Sequence, residues 1–417
     1  MSKSMAQLSY HYGVKVRIFP SSAQKRLIKR NSDASRFVYN EMNGMNRELY
    51  QLRQVKTPIA IVQDRIETLE ARLKTPATGI SNIHGWLNDA GFDSLMKANA
   101  IKNYKNAWNM FHKVHQAGTP VFHKKRVEQK YQTSCTYSKR VTAPSMLNGS
   151  VRIIDRRHVR LPKLGTLRFK GMPDKLLSCS NAIRIGTTTI SMDATGRYFV
   201  SMQLASERPF VEALNGTDSS IGIDLNTENF LTDSNGNVVA NPRYYRSVKG
   251  KLAKAQRKLS RRALRAKKEH RSLSNSTNYQ KQREVVANIQ CKVANRRKNF
   301  LHSVSTTLIK NHDLVVAEEL RSKNMLRNHA LAMSIADVGW RTFLDMLTYK
   351  AGLYGHKFVT VNPRNTTQTC SDCGFLMSGD QKLTLADREW ACPQCGTYHI
   401  RDHNAAKNIL TKGLATQ

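Results

Sequence analysis

Four cysteines, Cys370, Cys373, Cys392 and Cys395, fall as two Cys-x-x-Cys pairs with eighteen residues between them. Each pair sits in a short turn, Cys370-Ser371-Asp372-Cys373-Gly374 and Cys392-Pro393-Gln394-Cys395-Gly396, that can aim two thiolates at one ion. Two such turns make the tetrahedral four-sulfur cage that Zn²⁺ prefers. A cage closed by four protein ligands keeps no open position, so its role is structural and the chemistry lies elsewhere. The plainer reading, two disulfides, needs an oxidising compartment. The stretch Met1 to Gln7 has no apolar signal region, so none is expected.

Carboxylates at the ends of apolar strands stand out in a chain with 67 Lys+Arg against 30 Asp+Glu. Asp224 follows Ile221-Gly222-Ile223, Glu318 and Glu319 follow Leu314-Val315-Val316-Ala317, and Asp402 precedes a helix expected to begin near Asn404. An acid at a buried strand end is costly unless a cation or donor compensates it. Any one of them alone reads as a helix cap or a salt-bridge partner, and Asp402 fits a helix N-cap. Three together can hold a pair of Mg²⁺ ions for phosphodiester hydrolysis. Strand alternation puts Glu318 and Glu319 on opposite faces.

A third feature is charge. The net charge is +37 and the pI near 10.2, an imbalance that a polyanion relieves. No apolar run approaches the ~20 residues needed to span a bilayer, so nucleic acid is the expected partner and a membrane is not. Eleven Lys/Arg and one acid occupy Lys249 to Arg271. Leu252, Leu259 and Leu273 keep a narrow apolar stripe there, while Lys249, Lys251, Lys254, Arg257, Lys258, Arg261, Arg262 and Arg265 are placed to track a phosphate backbone. His302 reads as a packed histidine. Cys135, Cys179 and Cys291 lie far apart and read as reduced, packed thiols.

The elements that must position these groups follow from periodicity. Tyr12 to Phe19 alternates as a strand, ended by Pro20-Ser21, and a helical pattern runs from Ser22 to about Ala117 with breakers between Thr75 and Gly85. Short strands return between Val121 and Leu214, at 151–154, 159–161, 183–185 and 198–202, and the first strand is expected to join them. From Ile221 the pattern is a strand, a hairpin around Asn235-Gly236, a long helical stretch from about Val248 to Ile309, and a strand at 314–317. A helix from about Ile335 to Tyr354, a strand at 357–361, the cysteines and a last helix complete it. Alternating helices and strands imply an α/β multidomain fold.

At these residues the sequence resembles the TnpB family, transposon-encoded RNA-guided nucleases related to type V CRISPR effectors. The resemblance rests on Ile-Gly-Ile-Asp-Leu around Asp224, Val-Val-Ala-Glu-Glu-Leu around Glu318, Cys-Ser-Asp-Cys-Gly with its partner pair, and Arg-Asp-His-Asn-Ala-Ala-Lys-Asn-Ile around Asp402, in that order. It extends to Val14 through Pro20 with Gln24, to Ser35 through Asn40, and to Gly339-Trp340-Arg341 with 347–351. In two places the chain departs from the family pattern. Asn226 stands where Gly is usual, and Ile400 where a second Asp is frequent.

The resemblance implies an OB-like β-barrel wedge domain (1–20 and 118–215) with an inserted helical recognition lobe (21–117). It then implies an RNase H-like RuvC nuclease domain (219–365, including basic helices at 248–310, and 398–417) interrupted by a Cys₄ zinc ribbon (366–397). It makes Asp224, Glu318 and Asp402 the catalytic triad and magnesium ligands, with manganese as substitute. Zinc falls to the four cysteines. The implied activity is RNA-guided cutting of double-stranded DNA beside a short flanking motif, by a cytoplasmic, nucleoid-associated prokaryotic protein. A monomer carrying one guide RNA and engaging target DNA is the expected assembly. The competing readings are a nuclease-inactive RNA-guided repressor, a CRISPR-associated effector of the same fold, and a strand-joining transposase.

Overall fold

In the computed structural model the described residues are 3–56, 59–124, 128–319, 338–384 and 386–416. They separate into two compact units, Met1–Phe210 and Val211–Gln417.

The first unit is built on a curled antiparallel sheet of seven strands: β1 (Tyr10–Phe19), β2 (Gln129–Ser134), β3 (Arg152–Ile153), β4 (His158–Leu161), β5 (Gly165–Lys170), β6 (Arg184–Met192) and β7 (Tyr198–Ser206). Their order is β2-β6-β7-β1-β5-β4-β3, with no ladder between the outermost strands among the described residues. Val14, Val16 and Ile18 alternate inward along β1. Because β1 lies between β7 and β5, the helices α1 (Ser22–Leu52), α2 (Ala60–Lys74), α3 (Pro76–Ile83) and α4 (Met96–Lys113) enter the chain between strands of one sheet. A capping box starts α1. The Ser21 hydroxyl accepts from the Gln24 amide (3.3 Å), and the Gln24 side chain accepts from the Ser21 amide (2.9 Å). A short helix, α5 (Asp174–Ser178), joins β5 to β6.

The second unit holds a five-stranded mixed sheet, order β10-β9-β8-β11-β12. Its strands are β8 (Ser220–Asp224), β9 (Leu231–Asp233), β10 (Val238–Val239), β11 (Leu314–Glu318) and β12 (Lys357–Val361). β8, β11 and β12 run parallel, while β9 and β10 form the hairpin expected at Asn235-Gly236. Among the described residues the sheet is accompanied by α6 (Tyr244–Lys268), α7 (Thr277–Asn311), α8 (Trp340–Tyr354) and α9 (Arg401–Leu414). A two-stranded ribbon, β13 (Glu389–Ala391) and β14 (Tyr398–Ile400), precedes α9.

Several expectations need correction. The helical stretch from Val248 to Ile309 is two helices, because Glu269 to Ser276 is a polar run in which His270 takes φ +49° and turns the chain back. Thr75 to Gly85 is largely α3, which Pro76 starts at its first position, where a missing N–H costs nothing. β2 and β5 were not foreseen, since 129–134 (Gln-Lys-Tyr-Gln-Thr-Ser) and 165–170 carry few apolar residues. Residues 335–337 of the expected helix at 335–354 lie outside the described residues. Cys179 is exposed rather than packed. No helix among the described residues is long and apolar enough to cross a membrane.

Candidate active site and metal centre

Strand alternation sorts β8 and β11 into two faces. Ile221, Ile223, Val315 and Ala317 are fully buried and share a core with Leu301, Ile309, Trp340 and Phe343 from α7 and α8. The opposite face carries Gly222 and Asp224 on β8, and Leu314, Val316 and Glu318 on β11. Helix α9 lies on that face so closely that a Cβ at Gly222 would stand 2.3 Å from the Ala406 carbonyl oxygen, and one at Gly413 2.4 Å from Val316 Cγ2. Ile223 pairs with Ala317 in parallel register. Asp224 and Glu318 therefore extend neighbouring strands by one residue each, toward the start of the helix that brings Asp402.

Asp402 belongs to the first turn of α9, whose N-cap is Ile400, so it is not the expected cap. An acid there is favoured by the helix dipole. The Asn226 side-chain amide donates to Asp402 Oδ2 at 3.2 Å. Asp224 is only 8% exposed. Burial first, then the charges of Glu318 and Asp402, push its carboxyl up to about 8, against smaller opposing effects of Asn226 and Arg401. Burial also raises Glu318, opposed by a hydrogen bond from Thr366 and by the Lys412 charge. Glu319, just beyond the strand, is exposed, and its amide donates to the Val361 carbonyl at 2.9 Å.

Mutually repelling carboxylates in an apolar setting are what a divalent cation relieves, and oxygen donors of this kind suit Mg²⁺ or Mn²⁺. Among the described residues, only the four cysteines bring three or more such ligand atoms within 4.8 Å of one another. The three acids thus stand further apart than a closed cage.

The two cysteine turns are near copies. Gly374 donates to the Cys370 carbonyl (3.0 Å) and Gly396 to the Cys392 carbonyl (2.8 Å), with φ of +77° and +74° that only glycine adopts freely. The sulfurs lie 3.8 Å apart for Cys370–Cys395 and 3.6 Å for Cys373–Cys392. Four sulfurs at the ~2.3 Å Zn–S distance of a tetrahedral site would stand ~3.8 Å apart, so the set fits zinc. Burial pushes the Cys370 thiol up, whereas the Thr397 hydroxyl and amide bring Cys395 down to about 6. His399, not singled out in the sequence, places Nε2 3.1 Å from Cys370 Sγ and packs its ring 4.5 Å from that of Trp390.

Two asparagines, also missed, tie this centre to α9. Asn404 accepts from the Ser371 amide (2.9 Å) and donates to the Thr369 carbonyl (2.8 Å). Asn408 donates to the carbonyls of Thr366 (2.8 Å) and Thr369 (2.6 Å). Their spacing of four along Arg-Asp-His-Asn-Ala-Ala-Lys-Asn, which puts both on one helical face, was the available signal.

Helix α6 packs Leu252 and Ala255 against Val286 of α7, with Leu259 partly covered. Leu273 lies beyond α6 and is 41% exposed, so it leaves the expected stripe. Lys249, Lys251, Lys254, Arg257, Lys258 and Arg261 are exposed. Arg262 donates to the Asn278 carbonyl and Arg265 pairs with Glu269 at 2.8 Å, so both have protein partners. His302 is half-buried, and its carbonyl accepts from the Lys350 ammonium at 2.8 Å.

Three family models match the chain: "Helix-turn-helix domain" over residues 10–54, "Probable transposase" over 201–329 and "Cas12f1-like, TNB domain" over 340–409. Residues 10–54 here fold as a strand followed by one 31-residue helix. A Streptomyces pristinaespiralis relative named "Putative RNA-guided DNA endonuclease" is 37% identical over 55% of this chain and 53% of its own length. The chain thus spans about half of that relative. An Escherichia coli (strain K12) relative, "Putative RNA-guided DNA endonuclease InsQ", is 25% identical over 96% of this chain and 92% of its own. "TnpB-like protein L79" of Acanthamoeba polyphaga mimivirus is 35% identical over 30% of this chain and 24% of its own. A solved Cas12f1-sgRNA-target DNA complex superposes with a TM-score of 0.48 at 14% identity, covering 96% of this chain and 98% of that one.

Proposed function

The chain belongs to the TnpB family, and from that premise we propose that it is an RNA-guided, Mg²⁺-dependent endonuclease. It cuts double-stranded DNA beside a short flanking motif and travels with a transposon. The observation that carries this reading is the convergence of Asp224 and Glu318, from one face of a parallel strand pair, on the helix bearing Asp402, in a chain of net charge +37. These three are the catalytic residues and would hold Mg²⁺ or Mn²⁺, which when bound stabilises charge on the oxygens of the scissile phosphate. The protein's own part is to exclude water from Asp224, to hold Glu318 through Thr366 and Asp402 through Asn226, and to keep all three beside the phosphate.

Cys370, Cys373, Cys392 and Cys395 hold a structural zinc as the ribbon at 366–397. Residues 219–365 and 398–417 make the RuvC-like nuclease domain, 1–20 and 118–215 the wedge, and 21–117 the recognition lobe. The exposed face of α6, from Lys249 to Arg261, follows the phosphates of guide RNA or target DNA, with sequence read by base pairing.

The test is to purify the chain with the RNA it carries and offer matched duplex DNA with randomised flanks, with and without Mg²⁺. Guide-dependent cutting confined to a subset of flanks is expected. Full target occupancy without a cut in Mg²⁺ or Mn²⁺ would replace the nuclease with a repressor.

A further inference from the structure

Thr366 is 2% exposed and lies between β12 and the first cysteine turn. Its hydroxyl donates to Glu318 Oε1. The Pro363 carbonyl, 3.1 Å away, would serve the local turn by itself, so the contact with the acid is an addition that the turn does not require. Its carbonyl in turn accepts from Asn408 Nδ2 at 2.8 Å. Asn408 is on α9, the same helix that carries Asp402 in its first turn. Glu318 belongs to β11, and Thr366 is its side-chain hydrogen-bond partner among the described residues. One helix therefore sets two acids, Asp402 directly and Glu318 through a two-residue relay.

We propose that Thr366 is a positioning residue that registers the Glu318 carboxylate to α9, so that Glu318 and Asp402 present their oxygens to a divalent cation as a fixed pair. This rests on the reading of the three acids as a cation site. The physical ground is that a carboxylate at a strand end keeps rotamer freedom, and a buried donor aimed at one of its oxygens removes it. The Asn408 contact then prevents Thr366 itself from drifting with the loop that follows β12.

The experiment uses the full chain with Thr366→Val, which keeps shape and removes the donor, Thr366→Ala as a second removal, and Thr366→Ser, which restores the hydroxyl. Mn²⁺ is titrated by calorimetry into each RNA-free protein, with Asp224→Ala as the baseline, and zinc content, melting temperature and cutting are measured alongside. Loss of a hydrogen bond to a charged group predicts Mn²⁺ affinity about tenfold weaker in Thr366→Val and Thr366→Ala. Unchanged zinc content and recovery to within about twofold in Thr366→Ser complete the expected result. Wild-type Mn²⁺ affinity in Thr366→Val, or a Ser variant as weak as Val, would overturn the positioning role while leaving the cation site intact. Absence of any wild-type Mn²⁺ binding that Asp224→Ala removes would overturn the cation site and the positioning role together.

Discussion

Asn226 and Asp402, 176 residues apart in the chain, meet through a 3.2 Å hydrogen bond from the Asn226 amide to the Asp402 carboxylate. The same side chain also opposes the rise of the Asp224 carboxyl. It thus serves two of the three acids at once. Asn226→Ala should slow cutting of bound target by about tenfold or more, the scale of a hydrogen bond to a charged group, with target occupancy unchanged. Single-turnover rates at saturating Mg²⁺ decide this, and an unaltered rate would leave Asn226 with no part in the site.

Asp224→Ala, Glu318→Ala and Asp402→Ala should each lower cutting by several orders of magnitude, since in the proposed site each is a ligand to the cation at the reacting phosphate. Guide and target binding should persist, being dominated by backbone electrostatics elsewhere. A variant that keeps more than a few per cent of wild-type cutting identifies a misassigned acid.

Gly222→Ala tests the seat of α9. Its Cβ would meet backbone atoms of the helix at 2.3 and 2.7 Å, and backbone cannot swing aside as a side chain would. The variant should lose about 1–3 kcal/mol of stability, typical of overpacking, and most of its cutting. Thermal melts and cleavage assays should fall together.

Cys395→Ser should release zinc and unfold the ribbon, because binding energy in a structural zinc site is folding energy. Asn404 and Asn408 would lose the loop they grip, so cutting should fall although no acid has changed. Elemental analysis should give about one zinc per wild-type chain. Full cutting by the zinc-free variant would show that the ribbon does not position α9.

Lys350 is 5% exposed and donates to the His302 carbonyl, Ser305 Oγ and Thr306 Oγ1, all uncharged acceptors. Burial lowers its pKa from 10.5 to about 8. The folded protein then releases this proton at lower pH than the unfolded chain. Stability from this group is therefore present above about 10.5, and is lost as pH falls through about 8, up to roughly 3 kcal/mol at 1.36 kcal/mol per pKa unit. Lys350→Met should flatten the rise in stability between pH 8 and 10.5 relative to wild type in denaturant titrations. Parallel wild-type and variant curves would contradict it.

The residues proposed to hold metal could be singled out because metal ligands are fixed in type and spacing. Two Cys-x-x-Cys turns, two acids closing apolar runs and a third at the start of the last helix can be read without knowing what they touch. The sheet was legible where one face is buried, as in β1, and illegible in β2, where Tyr131 and Thr133 face inward among polar neighbours. Thr366 could not be read as a partner of Glu318, nor Asn408 as a partner of Thr366, because these are tertiary contacts across 48 and 42 residues. The eight-residue break between α6 and α7 falls inside the expected helical stretch, because nothing in the sequence announces the left-handed turn at His270.

The close seat of α9 on Gly222 also sets when the acids come together. Translation at 5–20 residues per second leaves roughly 10–35 s between the emergence of Asp224 and that of Asp402. For most of that interval the nascent chain displays the basic face of α6, while its sheet lacks α9, the helix that bears Asp402. On the proposed function, a chain stalled there would hold nucleic acid without the means to cut it. On that same reading, the order in which these parts leave the ribosome puts binding before cutting.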